Sequence, residues 1–233
     1  MPESLPAAGE ARRQRVRTYH ARRGRLSGAH RAALSTLMDR WSLDAEGSVF
    51  DPVHVFGRSA GLILDIGCGM GDSTRAQAGD DPASDIVALD VHTRGIATLL
   101  RGIESDGLDN VRVVLGDAVS FVAQRVAPEA LAGVRIYFPD PWPKARHTKR
   151  RLIQPEFVRL LAGRLRDGGF IHGATDDSAY ADQMLEVFGN EPSLHLHAQP
   201  PNDMRRPVTK YERRARRLGH PIRDLYVTRT LSA

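Results

Sequence analysis

The segment Phe138-Pro139-Asp140-Pro141-Trp142-Pro143-Lys144-Ala145-Arg146-His147-Thr148-Lys149, running on into Arg150 and Arg151, concentrates residue types that can do chemistry. It follows Val134-Arg135-Ile136-Tyr137, a short run that reads as a strand, and three prolines in six residues oppose continuation as helix or sheet. The prolines hold the Asp140 carboxylate at a strand end, beside one flat aromatic ring and a dense row of cations. Such a set can grip a base while neutralising phosphates. The bland alternative is a solvated loop with an accidental charge run, which leaves the proline framing of Asp140 and Trp142 without a purpose. Trp142 either stacks on a base or plugs the core beneath the loop. Packing is the favoured reading for a tryptophan between prolines.

A second constellation lies upstream in Leu64-Asp65-Ile66-Gly67-Cys68-Gly69-Met70-Gly71, a glycine-rich turn between a predicted strand and a predicted helix. Glycines there let the backbone turn sharply and approach a ligand. Asp90 ends the next strand, where a ribose-binding carboxylate belongs. The spacing is G-x-G-x-G, not the dinucleotide G-x-G-x-x-G, and Asp65 would repel a pyrophosphate. It suits a ligand carrying an ammonium and a sulfonium. Asp65, Gly67, Gly69, Gly71 and Asp90 are therefore expected to bind S-adenosylmethionine in preference to NAD. A tight turn without a ligand is the plain alternative. Asp117, in Leu115-Gly116-Asp117-Ala118, stands where an adenine amino group could be read, and taken alone it reads equally well as a helix cap.

Alternating elements must position these groups. Strand-like segments at Leu62 to Ile66, Asp85 to Leu89, Val111 to Leu115, Val134 to Phe138 and Phe170 to Ala174 alternate with helix-like segments at Asp72 to Ala78, Arg94 to Ser105, Ala118 to Ala127 and Pro155 to Leu165. This predicts an α/β, Rossmann-like domain with a mostly parallel sheet and helices on both faces. A helix around Ser178 to Phe188 and late strands near Leu194 and at Leu225 to Thr230 complete seven strands. A helix over residues 29 to 41, capped by Ser27, precedes them. Residues 1–28 carry Arg12, Arg13, Arg15, Arg17, Arg22, Arg23 and Arg25 and read as a mobile basic arm. Residues 29–233 read as one domain.

Composition narrows the partners. The chain has 233 residues, a formal charge of +5 and a sequence pI near 9.8, which favours an anionic partner. Cys68 is the only cysteine, so no internal disulfide or thiolate zinc cluster forms and a reducing compartment suits the chain. The nine histidines show no ligand spacing beyond His195 and His197, which lack an evident third ligand. No membrane-spanning stretch or apolar signal core is found, and a cytoplasmic location is expected. Monomer and homodimer remain equally open.

Taken together, Asp65 to Gly71, Leu89-Asp90-Val91-His92, Gly116-Asp117-Ala118, Phe138 to Arg151, Ala174-Thr175-Asp176 and Arg206-Pro207-Val208-Thr209-Lys210-Tyr211-Glu212 resemble the bacterial tRNA (guanine-N7-)-methyltransferases from about Val16 onward. The resemblance implies a class I methyltransferase fold, S-adenosylmethionine as donor and N7 methylation of a guanine in the tRNA variable loop. It implies that Asp65, Asp90, Asp117 and Asp140 contact the cofactor and that Asp140 is catalytic. Lys144, Asp176, Thr209, Lys210, Tyr211 and Glu212 match substrate-binding positions, and Arg146, Lys149, Arg150 and Arg151 lie in an RNA-contacting segment. Many relatives carry Glu at the places of Asp65 and Asp90, and His at that of Pro143.

The chemistry agrees. Guanine N7 has an in-plane lone pair and no proton, so methyl transfer needs alignment more than a strong base, and no metal is required. The purine gains positive charge as it reacts. Asp140 or Asp176 could stabilise that charge or read the guanine edge, and the residues alone do not divide these roles. A second basic cluster, Arg205, Arg206, Lys210, Arg213, Arg214, Arg216 and Arg217, surrounds a predicted helix over 209 to 218. Thr209 and Glu212 would form its capping box and bind substrate at the same time. A non-catalytic RNA-binding module would have no need of four carboxylates at strand ends.

Overall fold

Alternation at period two decides which way each strand side chain faces, and hence what either side of a sheet can carry. The computed structural model describes residues 18–19, 25–204, 206–208 and 210–230. Strands β1 (Gly61–Ile66), β2 (Ser84–Asp90), β3 (Val111–Leu115), β4 (Leu131–Tyr137), β5 (Leu165–Thr175), β6 (Leu194–His197) and β7 (Arg223–Arg229) form one seven-stranded sheet in the order β3-β2-β1-β4-β5-β7-β6. The pairings from β3 through β5 are parallel, and β7 runs antiparallel to both its neighbours. The helices are α1 (Gly28–Trp41), α2 (Pro52–Phe56), α3 (Asp72–Asp80), α4 (Thr93–Asp106), α5 (Ala118–Arg125), α6 (Pro155–Ala162), α7 (Ser178–Gly189) and α8 (Lys210–Arg217).

On one face Leu62, Leu64 and Ile66 of β1, Val134 and Ile136 of β4, and Leu225 and Val227 of β7 pack with Phe121, Phe157, Leu161, Tyr180 and Met184 from α5, α6 and α7. Ile63, Ile86, Ala88 and Val113 face the other way, under Ile96, Leu99, Leu100 and Ile103 of α4. Each Val, Leu, Ile, Phe or Met side chain among them contributes about 1.5–3 kcal/mol when removed from water. Past β1 this second face changes character. Arg135 and Tyr137 of β4, His172 of β5 and Asp224 of β7 stand on it beside the stacked rings of Phe170 and Tyr226, so the half of this face over β4, β5 and β7 carries a polar row.

Several boundaries differ from those expected. Helix α6 stops at Ala162, and Leu165 already belongs to β5. Strand β4 begins at Leu131, ahead of Val134, because register shifts between Leu131 and Gly133 interrupt the apolar pattern that marks a strand. Helix α2 was not expected from periodicity; Asp51 caps it and Pro52 opens it. The Ala145–Arg150 stretch, read as open loop, winds into a 3-10 turn. The predicted basic arm lies outside the described residues, apart from Thr18, Tyr19 and the residues from Arg25 on. Among the described residues, no helix is long and apolar enough to cross a membrane.

Candidate active site at the strand ends

Parallel strands bring their C-terminal ends to one edge of the sheet, and here the strand order reverses between β1 and β4. A crevice forms at such a reversal. Asp65, Asp90, Asp117 and Asp140 stand at or just beyond the ends of β1, β2, β3 and β4.

Asp65 is 3% exposed, and Thr74 Oγ1 on α3 donates to its Oδ2 at 2.5 Å. Burial raises its carboxyl above the ordinary 3.8, while the Thr74 hydrogen bond and the Arg135 charge oppose that rise. A cation brought beside it would meet a poorly solvated carboxylate and be held strongly. The turn that follows takes φ of 79° at Gly67, 60° at Gly69 and 82° at Gly71, values that strain any side chain. The outer two serve different ends. A Cβ at Gly71 would strike Leu99 of α4 at 2.5 Å, whereas one at Gly67 would meet nothing within 4 Å. Gly71 permits helix packing, and Gly67 bares its backbone to the crevice. That bare backbone, flanked by Asp65 and Asp90, fits an adenosyl amino-acid cofactor.

Asp90 fastens the turn. Its Oδ2 accepts from Gly69 N at 2.8 Å, and its Oδ1 accepts from His92 N and the His92 Nδ1 position, each at 2.8 Å. Oδ1 is thereby filled, and Oδ2 retains a lone pair for a ligand hydroxyl. Asp117 caps α5, its Oδ1 accepting from Ser120 N at 2.9 Å. Burial, with Asp90 and Asp65 nearby, pushes the Cys68 thiol well above 9.0. It stays protonated and is unsuited to nucleophilic work.

The proline segment is wound tightly about Asp140: Phe138 and Trp142 take φ of 53° and 45°, rare for bulky side chains. Trp142 is 5% exposed, donates through Nε1 to Thr18 O at 3.2 Å, and lies under the Arg150 guanidinium at 5.0 Å. It packs. Lys144, Arg146 and Lys149 are exposed, and Arg150 is half-buried. Arg151 departs from the row. Only 5% exposed, it donates from Nε to Pro141 O at 2.8 Å and from Nη1 to Gln183 Oε1 at 2.7 Å. The expected contact of Arg151 with RNA is therefore corrected to an interior strut between the proline loop and α7. Asp176, half-buried after β5, has Oδ2 4.0 Å from His220 Nδ1.

Glu212 is buried on α8 between Arg206 and Arg216, whose Nη2 lies 2.5 Å from Oε1. Arg206 also bonds Asp224 at 2.7 Å and covers the Phe138 ring at 5.2 Å, tying α8 to β7 and to the proline loop. Thr209 lies outside the described residues, as do the side chains of Lys210 and Tyr211. Behind Arg206 a hydrogen-bond chain crosses the polar half-face. Gln77 Nε2 lies 3.3 Å from Tyr137 Oη, Tyr137 Oη 3.1 Å from His172 Nδ1, and His172 Nε2 3.0 Å from Asp224 Oδ1. Burial pushes Tyr137 up to about 12, so its phenol keeps a proton to donate to Nδ1. With Nδ1 accepting, the His172 Nε2–H donates a hydrogen bond to Asp224 Oδ1. Among the described residues no group of three or more His, Cys, Asp or Glu is placed to hold a metal ion.

Comparison with known proteins follows the same lines. A family model described as a putative methyltransferase matches residues 59–225. A tRNA (guanine-N(7)-)-methyltransferase of Nitrosospira multiformis is 47% identical over 212 residues, 90% of this chain and 93% of that protein. One of Streptomyces avermitilis is 42% identical over 233 residues, 98% of this chain and 80% of its own length. The chain belongs to the tRNA (guanine-N(7)-)-methyltransferase family. Among solved structures, the 16S rRNA methyltransferase KamB superposes with a TM-score of 0.55 at 16% identity, covering 82% of this chain and 99% of that one. At that identity the likeness speaks to the fold alone.

Within this methyltransferase family member, sequence reasoning missed Thr74, His92, Arg135, Tyr137, His172 and Asp224. One signal was present: Arg135 and His172 interrupt strands that a parallel sheet buries on both faces, where polar residues have a reason to be. Thr74 and His92 carried no such mark, since each sits in a helix start or turn where its type is ordinary.

Proposed function

We propose that this protein transfers a methyl group from S-adenosylmethionine to N7 of a guanine in the variable loop of tRNA. The observation that carries the reading is one juxtaposition. The carboxylate-flanked glycine turn after β1 and the proline-framed Asp140 after β4 meet at the strand reversal, with exposed Lys144, Arg146 and Lys149 beside them. Membership in the family supports it.

S-Adenosylmethionine, when bound, supplies an electrophilic methyl group on a sulfonium. Asp65, the backbone of Gly67 and Gly69, Asp90 and Asp117 would hold it; Gly71 keeps the turn packed. Asp140 faces the positive charge that grows on the guanine and lowers its energy, as a preorganised carboxylate does in a partly dry crevice. Asp176, across from it at the end of β5, would accept from the guanine N1–H and amino group and so select guanine over adenine. Lys144, Arg146, Lys149 and Arg150 would neutralise phosphates, with the basic face of α8 adding to the field. Thr209, Lys210 and Tyr211 are proposed to touch the substrate, while Glu212 positions them through Arg206. A tRNA substrate places the activity in the cytoplasm.

Incubation with unmodified tRNA and methyl-labelled S-adenosylmethionine, followed by mapping of the labelled nucleotide, tests the reading. The label is expected at N7 of one variable-loop guanine. Label elsewhere, or none in tRNA, would overturn it.

A further inference from the structure

Burying a charge without a partner costs several kcal/mol, so native proteins rarely leave one. Arg135 is such a case. It is 6% exposed in the middle of β4, its Nη1 is enclosed without a hydrogen-bond partner, and no ion pair or hydrogen bond joins its guanidinium to a described residue. A strand position this deep would favour an aliphatic side chain unless the cation had something to bind.

Its neighbour shows what that is. Asp65 on β1 is the register partner of Arg135, and side chains at paired positions of adjacent strands lie on the same face, roughly 5 Å apart at the backbone. The two charges feel each other, since Arg135 draws the Asp65 carboxyl down against the effect of burial. They nevertheless do not close into a contact pair. Thr74 holds Asp65 Oδ2 from the α3 side. One turn along that helix, Gln77 turns toward Tyr137, and its Oε1 is buried with no partner. Two opposite charges, held side by side and apart, match one chemistry: an α-amino acid, whose ammonium and carboxylate are borne on a single carbon.

We infer that Asp65 and Arg135 form a zwitterion site, in which Asp65 receives the α-ammonium and Arg135 the α-carboxylate of the amino-acid end of the cofactor. The assignment rests on the cofactor reading above and extends it to a residue on a different strand from the glycine turn. It also explains why Arg135 is unpaired: its partner arrives with the ligand. A charge-assisted pair in such a dry place is strong enough to set selectivity against analogues that lack the carboxylate.

Calorimetric titration of the full chain with S-adenosylmethionine and with decarboxylated S-adenosylmethionine, which keeps the ammonium, tests this directly. The wild type is expected to prefer the intact cofactor by about 10- to 100-fold. Arg135→Met should lose that preference, binding both compounds within about threefold of each other, through weaker binding of the intact cofactor only. Arg135→Gln provides the same comparison if the Met variant folds poorly. In the absence of ligand, Arg135→Met should melt no lower than the wild type, because an unpaired buried charge has been removed. Retention of the wild-type preference in both variants, or equal loss of affinity for both compounds, would overturn the inference. A wild type that binds neither compound would instead overturn the cofactor reading, and the zwitterion site with it.

Discussion

At the scale of single residues, the carboxylates divide by what they already hold. Asp90 and Asp117 spend oxygens on backbone N–H groups of the turn and of α5, and Asp140 stands between Pro139 and Pro141 just past the end of β4. Replacing Asp140 by Asn keeps the shape and removes the charge. We expect single-turnover methylation to fall on the order of a hundredfold or more, with tRNA affinity nearly unchanged. Near-normal turnover in a folded Asp140→Asn would move the charge-stabilising role to Asp176. The glycines divide as well. Gly71→Ala should lower stability by about 1–3 kcal/mol in urea melts, since its Cβ collides with Leu99. Gly67→Ala meets open space and should chiefly weaken cofactor binding. All three glycines were legible as a motif, but which packs and which faces a ligand was not, because Leu99 is brought to Gly71 only by the crossover of α4.

At the scale of elements, the basic row from Lys144 to Arg151 is two structures in one sequence. Its outer cations ride a 3-10 turn, and its last one is driven inward to join Pro141 with α7. Arg146→Ala and Lys149→Ala should each flatten the log-log salt dependence of tRNA binding by about 0.7 to 0.9 units and leave melting unchanged. Arg151→Ala should do the reverse, costing about 2–4 kcal/mol of stability by orphaning its buried acceptors. Five Lys and Arg residues within the eight from Lys144 to Arg151 gave no sign of this division, because solvation is a property of where the turn lies and not of composition. The strands were more legible. Val111–Leu115 is apolar at every position but Arg112 and was bounded correctly, whereas the starts of β4 and β5 are hidden by a register shift and by Arg166-Asp167, which point to solvent. The polar half-face was illegible for a related reason: pairing His172 with Asp224 needs β7 to pass over β6 and lie beside β5, an adjacency that the succession of strands in the chain does not show.

At the scale of the whole molecule, that half-face couples the C-terminal motif to the sheet and makes stability depend on acid. Burial pushes the Asp224 carboxyl up, but hydrogen bonds from His172 and Arg206 more than reverse this and draw it from 3.8 down to about 2. A carboxyl lowered on folding stabilises the native state above its unfolded value, and the contribution fades as pH falls through the folded one. Stability measured in urea should therefore drop between about pH 4 and pH 2, and Asp224→Asn should be less stable at pH 7 with a shallower decline across that window. The strand order carries another consequence, one of timing. Strand β7 lies between β5 and β6 although it is translated after both. A ribosome that has made β6 has still to deliver its neighbour, and until then β5 ends the sheet with unpaired backbone groups. The nascent protein must wait with that edge open until β7 fills it, and β7 is also the strand to which Arg206 moors the C-terminal motif through Asp224. A message cut short before Arg223 would yield a chain able to build the cofactor turn yet prone to pair with other chains, which makes the last strand a checkpoint between synthesis and activity.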